Sequence, residues 1–155
     1  MTFVGRIDRI DSDGKGNFAI YDYKSSLTNV SQYGSWLKNN RIQLLLYAMA
    51  VENGLTIFDA QPVVAALYYS ARPLGRDYGF KMAGVDQRLF SSDDRRRRNL
   101  VAPEERAKLF EEARGLVRKA VDGIRAGRFA PEPRDTKGCM ECQWRSLCRA
   151  PHLSS

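Results

Sequence analysis

Two short stretches near the start of the chain carry carboxylates and an amine at spacings that could support chemistry. Residues 5–11 (GRIDRID) contain Asp8, and residues 21–24 (YDYK) contain Asp22 and Lys24. The glycine-rich residues 13–17 between them predict an antiparallel hairpin with a three-residue loop. In that hairpin, residues whose numbers sum to 30 lie opposite one another, so Asp8 faces Asp22.

Alternation along the second strand predicts what surrounds this pair. Asp22 and Lys24 share one strand face, on which Phe18 and Ile20 continue into an apolar core. Two opposed carboxylates repel each other, and a divalent cation with oxygen ligands relieves that repulsion. Lys24 would then lie beside a water or phosphate bound to the cation. The alternative is a surface hairpin whose charges are paired through Lys24 and Arg6.

A third stretch, residues 43–50 (QLLLYAMA), completes a set of motifs. GRIDRID, then DYK, then a helical Q-x-x-x-Y resembles the PD-(D/E)xK nuclease superfamily, and within it the RecB-like branch. The resemblance implies an α/β (α+β) fold of restriction-endonuclease type, with a mixed sheet flanked by helices. It implies Mg²⁺ or Mn²⁺ as cofactor, with Asp8, Asp22 and the Tyr23 carbonyl as metal ligands. The catalytic residues that it implies are Asp8, Asp22, Lys24, Gln43 and Tyr47.

The surrounding pattern predicts the elements that would position these residues. A helix is expected from an N-cap at Asn39 or Asn40 to Asn53, ending at Gly54. A second, long helix is expected from Pro103 to a stop at Gly127. Residues 63–69 predict a central strand buried on both faces, because their apolar run shows no alternation. Residues 77–82 predict a short edge strand.

Composition limits the class of protein. The chain has 155 residues, 43% of them hydrophobic and 28% charged, which suits one modest core. It contains neither a membrane-spanning apolar run nor a secretion signal, so we expect no membrane partner and a cytoplasmic location. Most of the net charge of +7 lies after residue 75. This basicity predicts DNA as a partner, with residues 95–98 as a candidate phosphate-binding run. A solvated charged face is the alternative for that run, which consists of Arg95, Arg96, Arg97 and Arg98.

Three cysteines, Cys139, Cys142 and Cys148, cluster near the end of the chain. Their odd number and close spacing favour a metal or iron–sulfur site over disulfides. His152 could complete a Cys₃His zinc site, which is the alternative from the residues alone. The spacing also resembles the iron–sulfur subgroup of RecB-like nucleases, which includes AddB-type subunits. That resemblance implies a 4Fe–4S cluster in the intact parent protein, with a fourth cysteine far upstream that is absent from this sequence.

The family's first motif is also missing from the sequence. A helical glutamate or histidine that helps to bind metal should precede Asp8 by tens of residues, whereas seven residues precede it here. We therefore expect the C-terminal part of a larger nuclease, with residues 1–138 as the core and 139–155 as a cysteine segment. A helicase domain or helicase–nuclease partner subunit is expected alongside it. The fragment alone should be weakly active or inactive, and uncovered apolar surface should favour self-association.

The leading functional hypothesis is a metal-dependent DNA nuclease domain. By resemblance it is part of an exonuclease or helicase–nuclease subunit that acts in DNA repair and recombination. Two alternatives come from other classes of protein: a non-catalytic DNA-binding module, and a structural zinc or iron–sulfur module in which the acidic hairpin is incidental. The intact set of Asp8, Asp22 and Lys24 favours the enzyme.

Overall fold

One mixed sheet organises the chain. A computed structural model describes residues 4–26, 30, 32–56, 59–72, 74–85, 100–133 and 137–148, with side chains described except at 74–77. Within them the strands are β1 (Arg9–Ser12), β2 (Phe18–Lys24), β3 (Val63–Ala71), β4 (Leu74–Met82) and β5 (Leu100–Val101). The helices are α1 (Gln43–Glu52), α2 (Pro103–Arg125) and the short α3 (Lys137–Met140), with one 3₁₀ turn at Tyr33–Ser35.

The strand order is β1-β2-β3-β4-β5. The β1–β2 and β3–β4 pairs are antiparallel, whereas the β2–β3 and β4–β5 pairs are parallel. The predicted α/β fold with a mixed sheet is therefore confirmed, and β3 lies at its centre as expected.

The helices bury their apolar residues against one face of this sheet. Ile20 and Phe80 of the sheet belong to the same buried cluster as Leu45 of α1 and Phe110 of α2. Neighbouring strand positions point to the opposite face, where Ala19, Tyr21, Val64, Ala65 and Leu67 form a second buried cluster. Because Asp22 is two residues after Ile20, its side chain lies on the face that the helices cover.

The hairpin has the predicted register. Arg9 pairs with Tyr21 and Ser12 with Phe18, so paired residue numbers sum to 30. Gly14 (φ 70°) and Gly16 (φ 90°) supply the left-handed backbone that the loop needs. The predicted first strand was too long, however, because β1 begins at Arg9 and residues 4–7 form no strand.

Asp13 braces the loop of this hairpin. Its carboxylate accepts the Asn17 side-chain amide at 2.6 Å and the backbone N–H groups of Lys15 and Asn17 at 2.7 and 3.0 Å. These bonds, the Asn17 amide first, lower the pKa of Asp13 below its usual value.

The lowered pKa predicts how the hairpin responds to acid. An unfolded aspartate takes up a proton near pH 4, whereas folded Asp13 does so only at lower pH. Asp13 therefore stabilises the fold above about pH 4, and this contribution is lost as the pH falls through the folded pKa. We expect the free energy of unfolding to fall more steeply with acid in the wild type than in Asp13→Asn. Urea unfolding at several pH values tests this, and equal slopes would contradict it.

Helix α1 begins later than its sequence suggests. Neither Asn39 nor Asn40 caps it, because residues 36–40 form turns in which the Arg41 N–H donates to the Trp36 carbonyl at 2.8 Å. Asn40 takes a left-handed φ of 49°, which interrupts any helix passing through it. The predicted stop is confirmed, since Gly54 has φ 64° and donates its N–H to the Val51 carbonyl.

The long helix matches its prediction over its whole length. It starts at Pro103, and Gly127 follows its end with φ 67°. Leu109, Phe110 and Ala113 are buried, whereas Ile124, farther along the predicted apolar stripe, is 45% exposed. Only the first part of the stripe therefore contributes to the core.

The second half of the sheet is larger than expected. The predicted short strand at 77–82 exists but begins at Leu74, and it is not an edge strand because β5 pairs with its end. Strand β5, with two residues, was not predicted. It is too short to show any periodicity in the sequence.

The chain divides into two compact units, Met1–Leu116 and Val117–Ser155. The first contains the sheet, α1 and the beginning of α2. In the second, none of the described residues is buried. The boundary that we placed after residue 138 stays a prediction.

Candidate active site

The centre of the site is the carboxylate of Asp22, which is 4% exposed at the end of β2. Its Oδ1 accepts a hydrogen bond from Gln43 Nε2 at 3.1 Å. Its Oδ2 lies 2.5 Å from Lys24 Nζ, yet it has no hydrogen bond of acceptable geometry. We treat the Lys24 contact as an ion pair, because the separation of the charges is short whatever the angle. One carboxylate oxygen is thus fixed, and the other is buried with spare acceptor capacity.

Lys24 is held from two sides. Besides the ion pair, its ammonium lies 5.1 Å from the centre of the Tyr68 ring, which is within the range of a cation–π contact. The Lys24 side chain remains 35% exposed. The amine is therefore oriented by protein groups while it stays open to a ligand.

Tyr68 reaches this position through the parallel pairing of β2 and β3, in which it is the partner of Asp22. Its ring also packs edge-on against Trp36, with 5.7 Å between centroids. Burial, and next the negative charge of Asp22, raise the pKa of Tyr68 to about 12. Tyr68 is thus a neutral hydroxyl at physiological pH.

Asp8 bonds to the backbone beside the other site residues. Its Oδ2 accepts the N–H of Tyr23 at 2.9 Å. The Asp13 N–H bonds to the Asn17 carbonyl, and because hydrogen-bonded pairs recur at every second position, residue 7 would be the ladder partner of Tyr23. The Asp8 side chain takes that N–H instead, which explains why β1 starts only at Arg9.

Gln43 and Tyr47 lie one turn apart at the start of α1. The Gln43 amide nitrogen donates to Tyr47 Oη at 3.1 Å as well as to Asp22. Both amide hydrogens are thereby used, and the amide cannot rotate without losing one bond. The structure brings Gln43 and Tyr47 to Asp22, on the face where the sequence predicted them.

The opposite end of α1 is anchored to the sheet. Glu52 accepts the backbone N–H of Val63 at 3.0 Å and is ion-paired with Arg106. Arg106 also donates to the Val63 carbonyl, and its guanidinium lies 4.1 Å from the ring centre of Phe110. This connection ties α1 to both β3 and α2, which limits how far Gln43 can move from Asp22.

A cleft of about 1050 Å³ opens at this site. Lys24, Gln43, Tyr47 and Tyr68 line it together with apolar residues of α1 such as Leu46 and Met49. The predicted site residues therefore face an open space, and they are not sealed within the core.

The donor set fits a divalent cation. Asp22 offers a buried carboxylate oxygen without a hydrogen bond, Asp8 is an exposed carboxylate, and Tyr23 has a carbonyl on the strand between them. Hard cations such as Mg²⁺ accept one or two carboxylates and complete their shell with water and phosphate. Among the described residues, no three His, Cys, Asp or Glu side chains gather into a metal-holding group.

The same finding covers the cysteines. Cys142 is exposed, Cys139 and Cys148 are half-buried, and all three are free thiols. The described residues do not bring them into a group that could hold a metal. As placed here they do not fit an iron–sulfur cluster, and the predicted cluster stays a prediction.

Two other predictions lie outside the described residues. They concern the candidate phosphate-binding run, Arg95, Arg96, Arg97 and Arg98, and the alternative zinc ligand His152.

Comparison with known families supports the fold and the site. Residues 1–149 match the PD-(D/E)XK nuclease superfamily. The match covers nearly the whole chain, and the chain belongs to this superfamily. This agrees with the resemblance to its RecB-like branch.

A curated relative gives a narrower comparison. The chain is 25% identical, over 193 aligned residues, to a subunit of the ATP-dependent helicase/deoxyribonuclease of Carboxydothermus hydrogenoformans. The alignment covers 96% of this chain but only 18% of that protein. No solved structure matches the chain. None of the described helices is long and apolar enough to cross a membrane.

Sequence reasoning missed Tyr68 as part of the site. Its contact with Lys24 depends on the register between two parallel strands that are separated by a helix. Only its place in a strand next to the catalytic hairpin could have pointed to it, and that signal does not single it out from Tyr69.

Proposed function

We propose that this site hydrolyses phosphodiester bonds of DNA with the help of a divalent cation, Mg²⁺ or Mn²⁺. The observation that carries the proposal is the state of Asp22. One of its oxygens is fixed by Gln43, and the other is buried beside Lys24 without a hydrogen bond at an open cleft. Membership of a nuclease superfamily supports the same chemistry.

Each residue has a distinct role in this proposal. Asp22 and Asp8, with the Tyr23 carbonyl, would hold the cation. When bound, the cation supplies positive charge that stabilises the phosphate in the transition state. Gln43 directs Asp22 by holding Oδ1, so that Oδ2 faces the remaining ligands. Tyr47 fixes the Gln43 amide in turn.

Lys24 supplies a second positive charge. Its ammonium balances the buried Asp22 charge and has donors left for a phosphate oxygen or for the attacking water. The Tyr68 ring limits where the ammonium can go. Lys24 therefore approaches the scissile phosphate from a defined direction.

The biological setting is also a proposal. The relative is named as part of a helicase/deoxyribonuclease, and we propose that this chain likewise works beside an ATP-dependent helicase. Such a partnership favours an exonuclease acting in DNA repair or recombination. The net charge of +7 suits a DNA partner.

Cleavage of labelled DNA tests the proposal. We expect slow cleavage by the wild-type chain that requires Mg²⁺ or Mn²⁺ and stops with a chelator. Lys24→Ala should lower the rate about 100-fold to 1,000-fold, as expected for removal of one group that stabilises the transition state. Lys15→Ala, which removes an exposed lysine at the hairpin loop, is the matched control and should cleave normally.

Other outcomes would point to other functions. DNA binding without any metal-dependent cleavage by the wild type would favour the non-catalytic module. Cleavage of covalently closed circles as fast as of linear strands would contradict exonuclease action.

A further inference from the structure

Gly5 lies against the ring of Tyr47 more closely than any other residue type could. A Cβ atom placed on Gly5 would be 2.7 Å from Tyr47 Cε1, 3.4 Å from its Oη and 3.5 Å from its Cζ. Contacts below 3.0 Å are essentially not found for real Cβ atoms. Even a methyl group at position 5 would therefore displace either the ring or the backbone.

The requirement at Gly5 is for space. Gly14 and Gly16, in the nearby hairpin, have the positive φ angles that favour glycine, whereas Gly5 does not. The first glycine of the GRIDRID stretch is thus explained by its neighbour on α1. The two stretches, far apart in sequence, meet at this contact.

From Tyr47 a short chain of contacts leads to the proposed metal ligand. Tyr47 Oη accepts one hydrogen of the Gln43 amide, and Asp22 Oδ1 accepts the other, both at 3.1 Å. Moving the Tyr47 ring would break the first bond and free the amide to rotate. Asp22 Oδ1 would then lose its hydrogen-bond donor.

We infer that Gly5 is a positioning residue. By leaving room for the Tyr47 ring, it keeps the Gln43 amide fixed on Asp22. Its effect on catalysis rests on the proposed nuclease function, whereas its effect on the Gln43 amide does not. The two parts can therefore fail separately.

The direct test is Gly5→Ala observed by NMR of the side-chain amides. The Gln43 signals, identified by their loss in Gln43→Leu, should shift in Gly5→Ala and remain in place in Gly34→Ala. Gly34 is the matched control, since a Cβ there meets nothing within 4 Å. Unchanged Gln43 signals in a folded Gly5→Ala protein would overturn the inference.

A second-site change tests whether Gly5 acts through Tyr47. Tyr47→Leu removes the ring atoms that the new methyl would meet. In that background Gly5→Ala should cause no further change in the Gln43 signals or in the melting temperature. If Gly5→Ala fails to fold, the double variant should recover the stability of Tyr47→Leu. A double variant that stays unfolded, or that changes as much as the single one, would overturn the inference.

Activity gives the last reading. Gly5→Ala should cleave DNA on the order of 100-fold more slowly, as small displacements near a reacting centre do. In the Tyr47→Leu background the same change should have less than about a twofold effect, since coupled groups are not additive. Shifted Gln43 signals in a set of variants that never cleaves DNA, wild type included, would retain the inference and reject the proposed function. Full cleavage by Gly5→Ala would overturn the inference.

Discussion

Asp22→Asn should lower metal-dependent DNA cleavage by about 1,000-fold or more, the upper range for loss of one transition-state-stabilising group. The asparagine keeps the size of the side chain and an oxygen that Gln43 can bond. It loses the negative charge that would hold the cation and that now pairs with Lys24 at 2.5 Å. DNA affinity should change little, because phosphate contacts elsewhere on the protein dominate it. Gel assays of cleavage and fluorescence anisotropy of binding measure the two effects separately.

Asp11→Asn is the matched control for this change. Asp11 lies in the same hairpin, but it pairs with Ala19 on the opposite sheet face and forms two hydrogen bonds with Arg9 at 2.6 and 2.7 Å. Its substitution should leave cleavage at the wild-type rate. Retained cleavage in Asp22→Asn would remove Asp22 from the catalytic role, and equal losses in both variants would indicate a general effect of charge.

The hairpin was predictable because its information is local. Glycines at 14 and 16 select the loop, the loop sets the register, and alternation then assigns each side chain to a face. The same holds for Gln43 and Tyr47, whose spacing of four places both on one side of any helix. These parts of the site follow from short stretches of sequence alone.

The boundaries that were wrong depend on distant contacts. Residues 4–7 leave the sheet where Gly5 meets Tyr47 and where the Asp8 side chain replaces a ladder bond. The start of α1 depends on turns closed by Trp36, which is fully buried against the sheet. Asparagine suits a helix cap and a left-handed turn equally well, so Asn40 alone could not distinguish the two.

The position of Tyr68 shows a third kind of limit. Strands β2 and β3 are parallel and separated by the whole of α1, and nothing local in either strand specifies which residue of one lies beside Asp22 of the other. The pairing is set by how the helix and sheet pack together. Residues recruited in this way become visible only in the folded structure.

Gly79→Ala should give the largest loss of stability among single-methyl additions to the sheet. Gly79 pairs with Leu67 in the central β3–β4 ladder, and a Cβ on Gly79 would lie 2.0 Å from the Ala66 carbonyl oxygen and 2.9 Å from Leu67 Cα. These are backbone atoms of a buried strand, so no side-chain rotation can relieve the clash.

The strand pair would have to separate or shift. We expect the free energy of unfolding to fall by about 3 kcal/mol or more, at or beyond the usual range for overpacking. For a chain of this size that corresponds to a drop in melting temperature of roughly 6–12 °C. Thermal and urea unfolding followed by circular dichroism measure it.

Gly115→Ala is the control of opposite sign for Gly79→Ala. Gly115 lies on an exposed turn inside α2, and a Cβ there meets nothing within 4 Å. The same change of one methyl should therefore stabilise the protein by about 0.5–1 kcal/mol through helix propensity. A melting temperature of Gly79→Ala within about 2 °C of the wild type would contradict the close β3–β4 approach. Because Tyr68 lies next to Leu67 on β3, a folded but loosened Gly79→Ala protein should also lose DNA cleavage as the contact between Tyr68 and Lys24 weakens.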